Sequence, residues 1–270
     1  MLQVSELFIY PVKSLGGISF SSSIVTDRGF QYDRRWMLVD SDNQFMTQRS
    51  FPQMALLKVG LEENGLKITH KQQGGSIAIP FETNGETISV QVWSDKVKGI
   101  VVDYQLNQWF SDMLGQSCKL VHMSDQTRRR VDGRYAINKE ITSFSDGYPF
   151  LVIGQSSLDD LNNRLEEKLP VDRFRPNIVF TGGAAYEEDT LAHFTINDIH
   201  FYGVKLSARC VITTINQDTL KKSKEPLRTL STYRMKNNKI YFGQNLLHHG
   251  RGSVNVGDEL KPIERKPSRF

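Results

Sequence analysis

Between Leu2 and about Val102 the apolar residues come in short runs broken by turn signals. Asn64-Gly65 and Asn84-Gly85 are hairpin dipeptides, and Gly74-Gly75 is a further breaker. Ile88, Val90 and Val92 alternate with polar neighbours, the period of a half-buried strand. Short strands at this density predict a barrel or sandwich. Past Val102 the period lengthens. Asp103 stands as an N-cap before Leu106, Trp109, Phe110, Met113 and Leu114, which recur at helical spacing and stop at Gly115. A second helix is predicted from about Ser156, with Leu158, Leu161, Leu165 and Leu169 on one face and Pro170 ending it. A third is predicted through Pro226–Arg234, with Pro226 at its first position. Strand-like runs fall at Asn177–Phe180, His200–Tyr202, Cys210–Thr214, Lys239–Phe242 and Val254–Val256, and the basic tail Lys261–Phe270 is expected to be loose. The fold class is therefore α+β and β-rich, an all-β first part followed by a mixed second part with a few helices.

Composition narrows the chemistry. A chain of 270 residues makes one large domain or two smaller ones and can be stable without disulfides. Lys plus Arg is 34 against 30 Asp plus Glu, a net charge of +4, which suits small anions bound at defined points and is too weak to indicate nucleic acid. The chain does not open on a basic segment followed by an apolar one, and no run approaches 18 apolar residues, so a cytoplasmic protein without a membrane span is expected. Two cysteines, Cys118 and Cys210, are too few to ligate an iron–sulfur cluster, and no Cys-x-x-Cys or HExxH spacing points to zinc. Any electron chemistry therefore needs another cofactor and a separate donor.

Several segments carry candidate chemistry, each beside an ordinary structural reading. Tyr10-Pro-Val-Lys13-Ser14-Leu-Gly-Gly17 ends a strand with an ammonium, a hydroxyl and free backbone N–H groups, a set that suits a phosphate or an ordinary turn. Asp33-Arg34-Arg35-Trp36 places two arginines at a strand mouth, and strand alternation lets at most one of them face a given pocket. Asp146, within Phe144–Pro149, either closes an Asx-turn or accepts hydrogen bonds from a ligand. Arg175 and Asn177 flank Pro176, two apart, and would share a strand face. Cys210 heads a β-branched run, either as a small buried hydrophobe or as a thiol whose pKa is lowered by Arg209. Cys118 is expected to be inert, Arg128-Arg129-Arg130 to be a solvated loop, and His248-His249 is not assigned a metal.

Taken in order, Tyr10–Ser14, Asp33–Asp40, Thr47–Arg49, Phe144–Asp146, Phe174–Asn177, Arg209–Thr214 and Val256–Asp258 resemble the MOSC family, named for the C-terminal domain of molybdenum cofactor sulfurase. The similarity spans nearly the whole chain and is strongest to amidoxime-reducing, N-hydroxylated-compound reductases. It implies an N-terminal β-barrel-like domain over 1–122 and a mixed β-barrel MOSC domain over 123–265. It also implies a molybdenum cofactor (molybdopterin) in a cleft between them. By motif, Lys13, Ser14 and Arg34 would bind the phosphate end, Asp146, Arg175 and Asn177 the pterin, and Arg209 would also bind the cofactor. Cys210 would be the thiolate ligand to molybdenum, with Asp146 as the second catalytic residue. The chain departs from the family at Leu220, which follows Asp218-Thr219 where glycine is common. Neither the membrane anchor of eukaryotic members nor the ferredoxin-like domain of some bacterial ones is expected here, and a separate ferredoxin-, flavoprotein- or cytochrome-type donor is expected. The resemblance implies a reductase of N-hydroxylated compounds; alternatives are a sulfur carrier using a Cys210 persulfide and a non-enzymatic cofactor carrier.

Overall fold

The computed structural model describes residues 1–270. Strand predominates, with α-helices at Tyr104–Leu114, Gln155–Asn162 and Leu227–Ser231. The first part holds a half-barrel whose strands run in the order Trp36–Val39, Lys119–His122, Asp95–Val101 and Thr87–Val92, each antiparallel to its neighbour. A meander of Leu57–Glu62, Gly65–His70 and Ser76–Pro80 lies beside it. Helix Tyr104–Leu114 buries Leu106, Phe110 and Leu114 against Leu66, Ile68 and Leu120. Its ends follow the sequence. The Asp103 carboxylate accepts the Gln105 and Leu106 N–H groups, and Gly115 closes the helix at φ +63°.

The glycines that mark hairpins act for different reasons. Gly74 and Gly75 take φ of +71° and +77°, values that favour glycine. Gly65 does not turn the chain; it opens a strand so close to its neighbour that a Cβ would lie 2.2 Å from the Ile79 carbonyl oxygen. The hairpin joining Thr87–Val92 to Asp95–Val101 turns with no glycine at all, on Trp93-Ser94, with Trp93 at φ +57°.

The second part is a closed seven-stranded barrel. Its order is Phe150–Gly154, Ile178–Thr181, Leu2–Ile9, Glu259–Arg265, Leu191–Ile196, Ile199–Ala208 and Lys239–His249, and the last strand pairs back onto the first. The chain's opening strand is therefore a stave of this barrel. One step is parallel, Val152 opposite Ile178. A parallel step needs a crossover, and helix Gln155–Asn162 lies within it. Phe150–Gly154 is apolar throughout because it is covered on both faces: Phe150 and Val152 point into the barrel with Phe194 and Phe201, while Ile153 packs outside on Leu158 and Phe242. No helix is long and apolar enough to cross a membrane.

Three local expectations are corrected. The second helix stops at Asn162 because that side chain bonds both backbone groups of Leu169, accepting its N–H at 2.9 Å and donating to its carbonyl at 3.0 Å. The segment folds back instead of extending to Leu169. Val211–Thr214 is a 3-10 turn rather than a strand: the Thr213 and Thr214 hydroxyls donate to the carbonyls of Cys210 and Val211, three residues back. The tail is ordered through Arg265 as a barrel stave, with Leu260 buried and Lys261–Arg265 exposed. Backbone pairing, not apolar patterning, holds it there.

One end of the barrel buries a carboxyl. Glu188 accepts a hydrogen bond from the Ser157 hydroxyl at 2.7 Å on Oε2, while Oε1 has no partner. Burial pushes its pKa up to about 7, helped by the neighbouring Asp189. A carboxyl raised in the folded state binds its proton more tightly there than in the unfolded chain. Its stabilising contribution is complete below about pH 4.5 and is lost as the pH rises through about 7. Glu188→Gln should flatten the pH dependence of unfolding across that window and raise stability at pH 8 by roughly 1–3 kcal/mol, read from denaturant midpoints.

Candidate functional site

A cleft of about 290 Å³ opens between the half-barrel and the closed barrel. Lys13, Ser14, Arg34, Asp146, Arg175, Asn177, Arg209 and Cys210, the residues singled out from the sequence, all line it. Seven lining side chains are cationic and one, Asp146, is acidic.

Tyr10 organises the cationic wall. Its ring is buried, with the guanidinium groups of Arg175 and Arg34 at 4.1 and 4.4 Å from its centroid. Gly17 lies against the same ring, where a Cβ would come within 2.5 Å of Cε1, so position 17, three residues after Ser14, has no room for a side chain. Both arginines sit at positive φ, +50° for Arg34 and +56° for Arg175, and Ser14 takes +69°. Arg175 thus caps a 3-10 turn ahead of its strand and does not share a strand face with Asn177. Arg34 donates to Asp33 Oδ2 at 2.6 Å, to Asn177 Oδ1 at 3.1 Å and to the Arg175 carbonyl at 3.2 Å. Arg35 turns the other way, to Asp125 at 2.8 Å; both arginines precede the strand Trp36–Val39, so the left-handed turn at Arg34, not the expected strand alternation, separates them. The Asn177 amide is engaged within the protein, donating to the Phe8 carbonyl and accepting from Leu151 N–H and Arg34, so it holds Arg34 in place.

Arg175 donates to the Leu15 carbonyl at 2.7 Å. Arg209 donates to the carbonyls of Phe242 at 2.7 Å and Phe174 at 2.9 Å, and its buried Nη2 has no partner. Burial pushes both guanidinium groups down to about 10, with the Arg34 charge adding to the effect on Arg175. Both stay charged at neutral pH. Lys13 is 6% exposed and donates to Asp146 Oδ1 at 2.6 Å and to the Phe144 carbonyl at 2.8 Å. Burial lowers its ammonium to about 8 against the pull of Asp146. The Asp146 side chain is 75% exposed. Partial desolvation opposes its ionisation, but Lys13 and the Trp93 indole N–H, 3.2 Å away, hold the carboxyl well below the usual range. Cys210 is exposed at the cleft wall, at the start of the turn Val211–Thr214, and is not a buried hydrophobe. Cys118 is buried, and desolvation pushes its thiol up to about 11.

Other residues that shape the site gave weak sequence signals. Arg129 is buried rather than solvated: it pairs with Asp95 at 2.8 Å and donates to the Ser143 and Ser145 carbonyls, which fixes the loop bearing Asp146. Its neighbour Arg128 is 63% exposed, an alternation that a run of three arginines conceals. Arg173 holds the Cys210 turn by donating twice to the Thr213 carbonyl, at 2.8 and 3.1 Å. Gln48 and Gln217 exchange amide hydrogen bonds of 3.0 Å across the two bodies, and Lys71 meets Asp218 at 2.7 Å. The loop carrying Gln217 is closed by Leu220 at φ +61°.

The chain matches the family model "MOSC N-terminal beta barrel domain" over residues 1–117 and the model "MOSC domain" over 139–261. It is 32% identical to mitochondrial amidoxime-reducing component 1 of Mus musculus across 95% of this chain and 81% of that protein. The human protein of the same name is 31% identical over similar shares, 95% and 82%. Molybdenum cofactor sulfurase of Oryza sativa subsp. japonica is 32% identical across 90% of this chain, which spans 32% of that longer protein.

Two outcomes follow from the geometry. Clustered cations around an open cleft should bind a polyvalent anion: at tenfold its Kd, sodium pyrophosphate should raise the melting temperature by roughly 3–5 °C over sodium chloride at equal ionic strength, with most of that shift lost in Arg175→Ala. Leu220→Gly should relieve the left-handed backbone and add about 1 kcal/mol of stability, measured by chemical denaturation.

Proposed function

Because the chain belongs to the MOSC family, carrying its N-terminal β-barrel domain and its MOSC domain, we propose that the cleft holds the molybdenum cofactor and that the protein reduces N-hydroxylated compounds. The observation that carries this reading is an exposed thiol, Cys210, opening into the same cleft as the buried cations. The donor set fits the group on chemical grounds. A phosphate-bearing pterin needs charged, multidentate donors, and Arg209 keeps its buried Nη2 group without a partner. A soft transition metal favours thiolate sulfur, and Cys210 is the cleft's only cysteine. On this reading Lys13, Ser14 and Arg34 hold the phosphate end, Arg175, Arg209 and Asp146 the pterin, and Cys210 the metal. Asn177 and Arg173 position Arg34 and the Cys210 turn. When bound, the cofactor supplies a two-electron redox couple.

The net reaction converts an N–OH group to N–H plus water, consuming two electrons and two protons. The electrons come from a separate redox protein. Lys13 keeps a proton on Nζ at neutral pH and passes its hydrogen bond to Asp146, whose open side chain links the buried ammonium to water. That pair places a proton source on the cleft wall.

The exposed sulfur of Cys210 also favours a second reading, a persulfide carrier, in line with the sulfurase likeness. Protein made in a host that synthesises the cofactor should contain close to one molybdenum per chain. Cys210→Ala should lose that metal and cut amidoxime reduction by at least about a hundredfold. Metal-free protein whose Cys210→Ala variant still reduces amidoximes at the full rate overturns the reductase reading. A gain of about 32 Da, roughly one sulfur atom, on Cys210 after treatment with a cysteine desulfurase, without bound metal, supports the carrier.

A further inference from the structure

Trp93 is placed with more constraint than its single hydrogen bond to Asp146 requires. It forms a two-residue turn with Ser94 at φ +57°, a conformation unfavourable for a bulky residue. The turn is braced: the Gln91 side chain donates to the Trp93 carbonyl at 2.9 Å, and Gln91 exchanges backbone hydrogen bonds with Asn43 and Phe45. The indole N–H donates to Asp146 Oδ1, on the cleft wall, at 3.2 Å. The guanidinium of Arg49, itself a lining residue, lies 4.3 Å over one face of the ring, and Phe45 packs at 5.0 Å and 54°. The side chain is thus fixed on three sides, yet the residue remains 42% exposed.

We propose that Trp93, backed by Phe45 and Arg49, is the specificity-determining platform for the substrate, selecting compounds whose N-hydroxylated group is attached to an aromatic ring. The inference rests on the reductase reading above. Only 8 of 25 lining residues are hydrophobic, so the cleft suits the polar N–O end of a substrate and offers little cover for its apolar end. Trp93, just outside that lining but in contact with its Asp146 and Arg49, supplies that cover. An offset-stacked ring gains from the indole face, and the amidinium formed by reducing an aryl amidoxime is a planar cation that the same face attracts. The hydrogen bond to Asp146 fixes the platform relative to the polar groups, so ring and N–O end are placed together.

The test compares benzamidoxime with acetamidoxime, which carries the same reacting group on a methyl. In the cofactor-loaded protein supplied with a reductant, Trp93→Gly should lower the ratio of their kcat/KM values about tenfold, chiefly through KM for benzamidoxime. Trp93→Phe, which keeps a ring without the N–H, should retain most of the ratio. Because glycine relieves the turn, Trp93→Gly should melt no lower than the parent protein. A ratio unchanged within twofold in Trp93→Gly overturns the proposal. If the protein reduces neither compound, the reductase reading fails, and calorimetric titration with benzamidoxime still decides the platform. Binding weakened about tenfold in Trp93→Gly upholds it, while equal binding, or none by either protein, overturns it.

Discussion

Four cations, Lys13, Arg34, Arg175 and Arg209, are held on one cleft wall, two of them against the single ring of Tyr10. Like charges brought together out of water repel and lose hydration, and each raises the cost of its neighbours. The protein offsets this with carboxylates at Lys13 and Arg34 and with neutral carbonyl acceptors alone at Arg175 and Arg209. Arg175 uses the Leu15 carbonyl, Arg209 the carbonyls of Phe242 and Phe174, and Lys13 the Phe144 carbonyl. Asp33 and Asp146 contribute the carboxylates. Carbonyl acceptors hold a guanidinium in place while leaving its charge uncancelled. An incoming anion therefore meets groups already oriented and still attractive.

That arrangement needs both bodies at once. The Lys13 turn and Arg34 follow the opening strand Leu2–Ile9, which is itself a stave of the closed barrel, whereas Trp36–Val39 belongs to the half-barrel. The chain crosses between bodies within the very segment that supplies the first cations. The crossover made necessary by the parallel pair, Phe150–Gly154 beside Ile178–Thr181, brings back Arg173 and Arg175 on its return. Asn177 then joins the parts, binding the Phe8 carbonyl, Leu151 N–H and Arg34 through one amide. The position of the cleft is thus a product of strand order, and the Gln48–Gln217 pair braces it from the other side.

The sequence made the strand-rich architecture and the capped helix Tyr104–Leu114 readable, because period and turn chemistry are local. It also marked the chemically distinctive residues, since a lone cysteine, a buried-type arginine before proline and a Lys-Ser turn stand out by type. It failed where local preference and final structure part. Cys210–Thr214 looks like a strand because Val, Ile and Thr favour one, but two threonine hydroxyls reach back to carbonyls and tighten the backbone into a turn. Glu259–Arg265 has almost no inward apolar side chain, so only its pairing with two barrel neighbours reveals it. Arg129 is hidden by its charged neighbours, and its partner Asp95 lies 34 residues away. Trp93 gives no turn signal at all, since tryptophan is a poor residue for that backbone.

Residues in the left-handed region recur at and beside the cleft: Ser14, Arg34 and Arg175 line it, Trp93 donates to its lining residue Asp146, and Leu220 lies in the loop that joins the two bodies. None of the five is glycine. Such residues keep that backbone only where surrounding contacts over-determine it, and here the contacts are specific: Tyr10 behind the arginines, Gln91 behind Trp93, Asn216 bonding the N–H groups of Asp218, Thr219 and Leu220. Strain and uncancelled charge act together. Glycine or asparagine in the first case, and neutral side chains in the second, would give a more stable empty protein, but at every one of these positions except Leu220 they would give up a side chain that lines the cleft or contacts its lining. Stability has been yielded at the same few positions from which binding groups are presented, which is where a stability–function trade-off is expected to fall.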